Sequence, residues 1–217
     1  RDGKGWIVEA MNAEGQPVEI RANMLIGADG DHSVVLRSLG ERKIDRRHYA
    51  ATLRQYWQGV EGLSADHLIE VYFPKGLPMS YFYLFPLPNG ECNVGYGMVS
   101  EVLARYKYNL RDLFSRLIET DPVMAARFRN AHPLEKPVGW GLPLASRRRR
   151  CFGDGYLLAG DAASLVCPTS GEGIGTAMMS GYVAAHYVEK ALRLGRFDAD
   201  VFSGYDREIY RRLESEI

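Results

Sequence analysis

Two short, fully apolar runs stand out along the chain, at residues 24–28 and 156–159. Their hydrophobic positions are continuous rather than alternating, which indicates strands covered on both faces of a sheet. Each run ends at a turn that pairs Gly with Asp. Ahead of the first run, turn-forming residues 12–17 separate two strand-like segments, 6–9 and 18–21, and predict a β-hairpin.

The middle of the chain carries longer strands that are rich in aromatic residues. The predicted strands are 49–60, 67–73, 80–87 and 92–98. The last two flank Pro88-Asn89-Gly90-Glu91, which is a strong hairpin signal. This region is therefore predicted to form an antiparallel sheet.

Helical spacing accounts for most of the remaining apolar positions. Ser33 is expected to cap a short helix that runs through Leu39, and a helix near 110–118 ends at Asp121-Pro122, where another begins and runs to residue 129. Residues 133–145 are predicted to be extended. Two more helices follow, one with the apolar stripe Ile174, Ala177, Met178, Gly181, Ala184, Ala185, Val188 and Leu192, the other with Val201, Tyr205, Ile209 and Leu213.

Composition places the chain among globular proteins, with 46% hydrophobic and 25% charged residues. The formal net charge is 0, which gives no electrostatic reason to expect a nucleic-acid partner or an anionic membrane surface. The three cysteines indicate neither a disulfide framework nor a zinc site, the five histidines have no ligand spacing, and no metal is expected. The cysteine pattern fits a reducing cytoplasm, which is the predicted location. No apolar run approaches the roughly 18 residues of a membrane span. Because the sequence starts at Arg1 within a strand-forming region, it is interpreted as a fragment.

The strongest chemical pattern lies after the second apolar run. Gly160-Asp161-Ala162-Ala163 is followed by Pro168 and by the glycine-rich segment 171–175 that opens the long helix. A carboxylate and free backbone N–H groups at a helix N-terminus suit a ligand with hydroxyl groups on one side and negative charge on the other. The N–H groups concerned are those of Gly173, Ile174 and Gly175. The alternative is a tight turn whose glycines serve packing alone.

A second pattern of the same kind follows the first apolar run. Asp29 and Gly30 form the turn, and Arg37 lies one turn into the capped helix, where it is positioned to order Asp29 or to reach a phosphate. The alternative is an Asx turn with a surface arginine. Two such patterns, about 130 residues apart with a different sheet between them, favour one shared ligand site.

These motifs resemble those of FAD-dependent monooxygenase-type flavoproteins. The first is Gly27-Ala-Asp-Gly-x-x-Ser-x-Val-x-Arg37, which has one extra residue before the arginine, and the second is segment 160–163 with Pro168, Gly171 and Gly173. Segments 168–174, 81–86 and 93–97 are similar to the geranylgeranyl reductase branch, which usually has Trp where this chain has Tyr83. The Gly-x-Gly-x-x-Gly fingerprint of such proteins is absent, and the resemblance implies that it lies upstream of Arg1.

The resemblance implies an α+β or α/β fold in which a partial, Rossmann-like FAD-binding domain (1–46 and 140–217) carries an inserted antiparallel-sheet substrate domain (47–139). FAD is then the cofactor, bound weakly or not at all by this fragment, which alone would be inactive. No catalytic residue is assigned. The implied cofactor-binding residues are Gly160, Asp161, Ala162, Pro168, Gly171, Gly173, Ile174, Asp29, Gly30 and Arg37, and Tyr81, Tyr83 and Phe85 form a candidate apolar wall for substrate, or else simply sheet core.

The function implied is that of an FAD-dependent oxidoreductase that reduces C=C bonds of an isoprenoid or other apolar substrate, with NAD(P)H or ferredoxin as electron donor and peripheral membrane contact for a lipid substrate. An aromatic-type FAD monooxygenase and a non-catalytic binding module are the alternatives. Two features stay outside this interpretation. The run Arg147–Arg150 is interpreted as a solvated surface, with a polyanion site as the alternative, and Cys167 as a small core residue rather than a redox thiol.

Overall fold

The chain forms two compact units in a computed structural model that describes residues 5–214. The first unit comprises residues 5–43 and 143–214, and the second comprises residues 44–142. The predicted limits at residues 46 and 140 lie three residues from these boundaries. The mixed α and β class predicted from the sequence is confirmed. No helix among the described residues has the length and apolar character to cross a bilayer.

The elements follow one another in this order. The strands are β1 (Trp6–Met11), β2 (Pro17–Ala22), β3 (Leu25–Gly27), β4 (Tyr49–Gln58), β5 (Glu70–Tyr72), β6 (Ser80–Pro86), β7 (Glu91–Val99), β8 (His132–Pro133), β9 (Val138–Pro143), β10 (Phe152–Gly153) and β11 (Tyr156–Leu158). The helices are α1 (Val34–Ser38), α2 (Ser100–Tyr106), α3 (Leu110–Thr120), α4 (Pro122–Phe128), α5 (Ile174–Leu194) and α6 (Tyr205–Arg212), with 3-10 turns at Arg46–His48, Pro88–Gly90 and Gly160–Ala163.

The first unit is organised around a parallel pair of strands, β3 and β11. Leu158 lies opposite Gly27, so the two apolar runs end side by side. Strand β10 adds an antiparallel strand beyond β11, and the predicted hairpin forms as β1 and β2. The expectation that both runs are buried is confirmed for β11 but is wrong for Ile26 of β3, which is 44% exposed. Strand β3 lies at the edge of this sheet among the described residues, and the face that carries Ile26 lines a cleft rather than the core.

Helices α5 and α6 complete the core of the first unit. Tyr205 is fully buried, and its hydroxyl donates to the Leu158 carbonyl oxygen at 2.8 Å, with the Ser180 carbonyl oxygen at 3.2 Å. This side chain thus links α6 to the end of β11 and to α5. The apolar stripe predicted for the last helix, from Val201 to Leu213, is buried as expected, although the helix itself begins only at Tyr205.

Helix α5 buries a face that coincides only in part with the predicted stripe, since Ala184 is buried as expected but several other members are not. Its fully buried residues include Thr176 and Ser180, whereas Ile174 and Met178 are 76% and 72% exposed. The hydroxyls of Thr176 and Ser180 donate to backbone carbonyl oxygens one turn earlier, at 3.0 Å each, so their burial leaves no polar group unsatisfied. The small side chains on that face allow close packing.

The second unit is an antiparallel sheet with strand order β5-β6-β7-β4-β8, and β9 pairs with β4. The predicted hairpin between β6 and β7 is confirmed, with Asn89 at φ 66° in its turn. Phe82 is fully buried and contacts the rings of Phe114 in α3 and Phe128 in α4, with ring centroids 5.8 and 6.3 Å apart. These helices therefore cover one face of the sheet.

A row of three residues crosses the other face of this sheet. Tyr83 of β6, Gly95 of β7 and Arg54 of β4 are neighbours in register. A Cβ atom at Gly95 would lie 2.0 Å from the Tyr83 ring, much closer than any real contact. The Tyr83 ring therefore occupies the space that a side chain at residue 95 would need.

We expect Gly95→Ala to destabilise the second unit by about 1–3 kcal/mol, the usual cost of overpacking, because the Tyr83 ring must move. Gly139→Ala is the matched control, since its nearest neighbour would be at an ordinary 3.6 Å. Urea unfolding measures both. In a Tyr83→Ala background, the cost of Gly95→Ala should largely disappear. An equal cost in both backgrounds would show that the ring is not the cause.

Candidate functional site

The turn that follows β11 is shaped by its contact with α5. Gly160 has φ +56°, and its N–H donates to the Ser180 hydroxyl at 2.9 Å. A Cβ at Gly160 would lie 3.1 Å from the Ala177 Cβ. Both the backbone conformation and the close approach to the helix therefore favour glycine at this position. The next residue, Asp161, lies beside this contact.

The Asp161 carboxylate is half-buried and unpartnered. It makes no hydrogen bond or ion pair with any residue in 5–214. Burial, with a further contribution from the negative charge of Asp31, raises the pKa of Asp161 above its usual value. A desolvated carboxylate without a protein partner is costly, and it is typical of a ligand site. The alternative interpretation, in which Asp161 caps its own turn, has no supporting hydrogen bond.

The glycine-rich segment before α5 folds back on itself. The Gly171 N–H donates to the Cys167 carbonyl oxygen at 2.9 Å, and Gly171 has φ +71°. Gly173 is the N-cap of α5, and a Cβ on it would lie 3.5 Å from a carboxylate oxygen of Asp161. The start of the helix and the Asp161 carboxylate thus lie side by side.

Glu172 changes the expected donor set at this helix start. Its carboxylate accepts from the Gly175 N–H at 2.7 Å, so the prediction that this N–H is free for a ligand is wrong. The N–H groups of Gly173 and Ile174 donate to no residue in the described part of the chain. Two of the three predicted donors therefore stay available. Pro168 is half-buried, while Ala162 is fully buried and so contributes packing at this turn.

The Asp29 turn is engaged mainly with its own helix. One Asp29 carboxylate oxygen accepts from the N–H groups of Val34 and Val35, at 2.7 and 3.2 Å. Partial burial acts against the shift, but hydrogen bonds from Ser33 and from these N–H groups hold the pKa of Asp29 below its usual value. The suggestion that Arg37 orders Asp29 is wrong, because the Asp29 carboxylate is bonded by Ser33, Val34 and Val35 and not by the exposed Arg37 side chain. Its contact with a phosphate stays a prediction.

A cleft of about 330 Å³ brings the two motifs together within the first unit. Gly30 of the first motif and Gly160 and Asp161 of the second line it. Its other walls are apolar or lack side chains, and Asp161 is the one charged residue among the lining positions. The lining residues are Ile26, Ala28, Gly30, Ala159, Gly160, Asp161, Ala177, Gly181 and Ala184.

Asp31 is a feature of this region that sequence reasoning missed. It is only 6% exposed, with Arg42 Nη2 at 4.0 Å and His32 Nε2 at 3.8 Å from a carboxylate oxygen. Its charge contributes to the raised pKa of Asp161. Asp31 lies between Gly30 and Ser33, within the quoted motif, but its burial comes from tertiary contacts that no local pattern encodes.

The three aromatic residues proposed as a substrate wall share one face of β6 in the second unit. Tyr81, Tyr83 and Phe85 are half-buried, and the Tyr83 ring centroid lies 4.4 Å from that of Phe85 and 6.4 Å from that of Tyr81. Burial raises the pKa of Tyr83 to about 12, further above neutral pH than that of an ordinary tyrosine. Arg54, which sequence reasoning also missed, lies beyond Gly95 in an ion pair with Glu135.

Cysteine and metal chemistry add little to this picture. Cys167 is 6% exposed, with its sulfur 3.1 Å from the Thr169 hydroxyl. Burial acts to raise the pKa of the Cys167 thiol, but hydrogen bonds from Ser170 and Thr169 outweigh it and lower the pKa. In the described residues, no group of three or more His, Cys, Asp or Glu side chains converges into a metal site.

Sequence comparison relates the chain to one group of enzymes. No family model matches it. It is 28% identical over 196 residues to the digeranylgeranylglycerophospholipid reductase of Methanococcus vannielii, covering 90% of this chain and 48% of that protein. The digeranylgeranylglycerophospholipid reductase 2 of Methanopyrus kandleri is 30% identical over 202 residues, covering 91% and 48%. The chain is a homologue of the geranylgeranyl reductases. It spans about half the length of the curated relatives that it matches.

Solved structures agree with this relationship. A geranylgeranyl bacteriochlorophyll reductase-like protein from Thermoplasma acidophilum superposes with a TM-score of 0.77 at 25% identity, covering 93% of this chain and 49% of that one. The flavin-dependent halogenase CmlS gives a TM-score of 0.73 at 18% identity, covering 99% and 39%, and shows the shared fold alone. This geranylgeranyl reductase homologue therefore has the fold of flavin-dependent enzymes.

The unpartnered carboxylate of Asp161 leads to a prediction about pH. Its pKa is raised above the reference value of 3.8, so the ionised side chain destabilises the fold at neutral pH, and this penalty disappears as the pH falls below the unfolded-state pKa. We expect Asp161→Asn to raise the melting temperature at pH 7 and to lose this advantage near pH 4. Thermal unfolding across that range measures the effect.

Asp29→Asn is the matched control, because the pKa of Asp29 is lowered and the sign should reverse. Its melting temperature should fall at pH 7 and approach that of the unmodified chain in acid. A lower melting temperature for Asp161→Asn at pH 7 would instead support a structural, turn-capping role.

Proposed function

We propose that this chain forms part of the FAD site of a flavin-dependent reductase that saturates C=C bonds of an isoprenoid or other apolar substrate. One observation carries the proposal: the desolvated, unpartnered Asp161 carboxylate lines a cleft that both motifs share, in a homologue of the geranylgeranyl reductases. Such a carboxylate is retained at a cost to stability, as is common at functional sites. The relatives' names supply the substrate class.

The donor set of the cleft suits FAD. A carboxylate accepts hydrogen bonds from polyol hydroxyls, and free N–H groups at the start of a 21-residue helix favour a group that bears negative charge. Glycine and alanine walls let part of a large planar molecule approach the backbone closely. When bound, FAD supplies hydride transfer, and the protein provides binding and orientation.

Individual residues take the following proposed roles. Asp161 accepts hydrogen bonds from cofactor hydroxyls, with Gly160 and Ala162 shaping its turn. Gly173 and Ile174 offer their N–H groups to an electron-rich edge of the cofactor, where a helix N-terminus favours its reduced form. Further proposed contacts come from Pro168, Gly171, Asp29, Gly30 and Arg37, and the printed chain alone, without a Gly-x-Gly-x-x-Gly fingerprint, is proposed to bind FAD weakly.

The aromatic face of the second unit is proposed to contact the substrate. Tyr81, Tyr83 and Phe85 provide ring surface that suits an apolar chain. The Tyr83 hydroxyl, which like any tyrosine is protonated at neutral pH, adds a hydrogen-bond donor to this face. NAD(P)H or ferredoxin is the proposed source of electrons.

Flavin titration of the full protein that carries this chain tests the site. We expect Asp161→Ala to lower FAD affinity about ten- to a hundredfold, because cofactor hydroxyls would lose a buried partner worth about 1–3 kcal/mol. Asp29→Ala should cost far less, since the Asp29 carboxylate already bonds its own helix. Melting temperatures show whether either variant is simply less folded. Unchanged affinity in folded Asp161→Ala would contradict the assignment.

A turnover assay under nitrogen tests the reaction. The full protein is loaded with FAD, reduced with dithionite and mixed with geranylgeranyl lipid. The molecular masses of the products are then measured by mass spectrometry. A reductase gives product heavier by two hydrogens per bond without dioxygen. A hydroxylase gives product only after dioxygen is admitted, heavier by one oxygen, and that result would replace the reductase with a monooxygenase.

A further inference from the structure

The run Arg147–Arg150 is the strongest charged feature that the proposed cofactor site does not use. We name it the arginine loop; it lies between β9 and β10 in the first unit. Arg148 and Arg150 are exposed, and Arg149 is half-buried. None of these three guanidinium groups pairs with a carboxylate in the described part of the chain, although Arg105, Arg193 and Arg196 each do.

The arginine loop is held in place by uncharged contacts. The Arg148 guanidinium lies 5.3 Å from the centroid of the Tyr210 ring, and that of Arg150 lies 4.6 Å from the centroid of Phe152. Arg149 donates its N–H to the Tyr210 hydroxyl at 3.0 Å and its Nη1 to the Ser164 hydroxyl at 3.2 Å. Ring contacts leave the edge N–H donors of a guanidinium free for anionic oxygens. Arg148, Arg149 and Arg150 are thus positioned without being neutralised by a carboxylate of the described chain.

The charged residues near the arginine loop leave a net positive charge around it. Asp206 is the acidic side chain whose charge acts on Tyr210 beneath the loop, and it is half-buried. Arg207, next to it in α6, is exposed. The chain as a whole has a formal net charge of 0, so the loop concentrates charge that is balanced elsewhere. This concentration of charge favours an anionic partner that contacts the loop itself over a polyanion attracted by the charge of the whole protein.

We infer that the arginine loop docks the protein on an anionic phospholipid surface. Three arginines without a carboxylate partner, two of them over buried rings, match a layer of phosphate groups. The inference rests on the proposed function, in which the substrate is an isoprenoid or other apolar molecule that a membrane would hold. A single-stranded nucleic acid fits less well, because Tyr210 and Phe152 are only 4% and 8% exposed and offer no free ring for base stacking.

The expected strength of this contact is modest. Each basic residue near an anionic surface increases partitioning roughly fivefold, so three give about a hundredfold at physiological ionic strength. Such attraction falls steeply with salt. Lasting attachment needs a second signal, which a bound lipid substrate would provide.

Vesicle co-sedimentation of the full protein tests the inference. The probes are phosphatidylcholine vesicles with and without about a quarter phosphatidylglycerol, at low and high salt. We expect anionic vesicles alone to bind, and Arg148→Gln/Arg149→Gln/Arg150→Gln to lose about a hundredfold in partitioning. The matched control, Arg105→Gln/Arg193→Gln/Arg196→Gln, removes the same charge from ion-paired sites and should lose much less.

A double variant and a nucleic-acid probe distinguish membrane docking from misfolding and from polyanion binding. Because Arg149 bonds Ser164, the double variant Arg148→Gln/Arg150→Gln guards against misfolding and should still lose about 25-fold. Equal binding to neutral vesicles, equal losses in the control triple variant, no vesicle binding, or tighter binding to a single-stranded oligonucleotide would each overturn the inference. FAD affinity, measured without vesicles, reports the proposed function separately, and the loop variants should leave it unchanged.

Discussion

The contact between the Gly160 turn and helix α5 organises the whole first unit. The Gly160 N–H donates to the Ser180 hydroxyl, and the Tyr205 hydroxyl bonds the Leu158 carbonyl oxygen close by. These two bonds fix the end of β11 against both α5 and α6. Since β3 is in parallel register with β11, they also fix where the Asp29 turn begins. The cleft exists because two strands end together against a helix that has no bulky side chain at the contact.

That arrangement explains how a costly carboxylate is tolerated. The strand before Asp161 is fully buried, so the backbone that leads into the Asp161 turn is held in place. Asp31 lies nearby in a buried position and adds repulsion. Stability of the fold alone would favour a neutral residue at position 161. The Asp161 carboxylate is therefore expected to accept a hydrogen bond from a donor that the described chain does not supply.

Local patterns predicted the elements whose signals are local. The Pro88–Gly90 turn, the cap at Ser33 and the apolar spacing of α3 each act over a few residues, and all three appear in the structure. Helix α2, from Ser100, was not predicted because it continues directly from β7 without a side-chain cap. Short-range chemistry also located both Gly and Asp turns, although their roles as cofactor contacts stay predictions.

Features that depend on tertiary packing could not be predicted from the sequence. Helix α5 has two faces that each look apolar or small, and the buried one contains Ser180 because the Gly160 turn needs its hydroxyl. The Glu172 carboxylate captures one of the helix N–H groups, which spacing alone does not reveal.

The exposed side chains around the cleft narrow the kind of ligand that fits it. Ile26 is 44% exposed and lines the cleft, and Ala28, Ala177 and Gly181 add further apolar wall. A small anion would leave this surface in water, and a simple hydrocarbon would leave Asp161 without a partner. A ligand that satisfies both has extended apolar or aromatic surface together with hydroxyl groups at one position. The proposed cofactor, FAD, combines a flat ring system with a polyol chain and so meets both requirements.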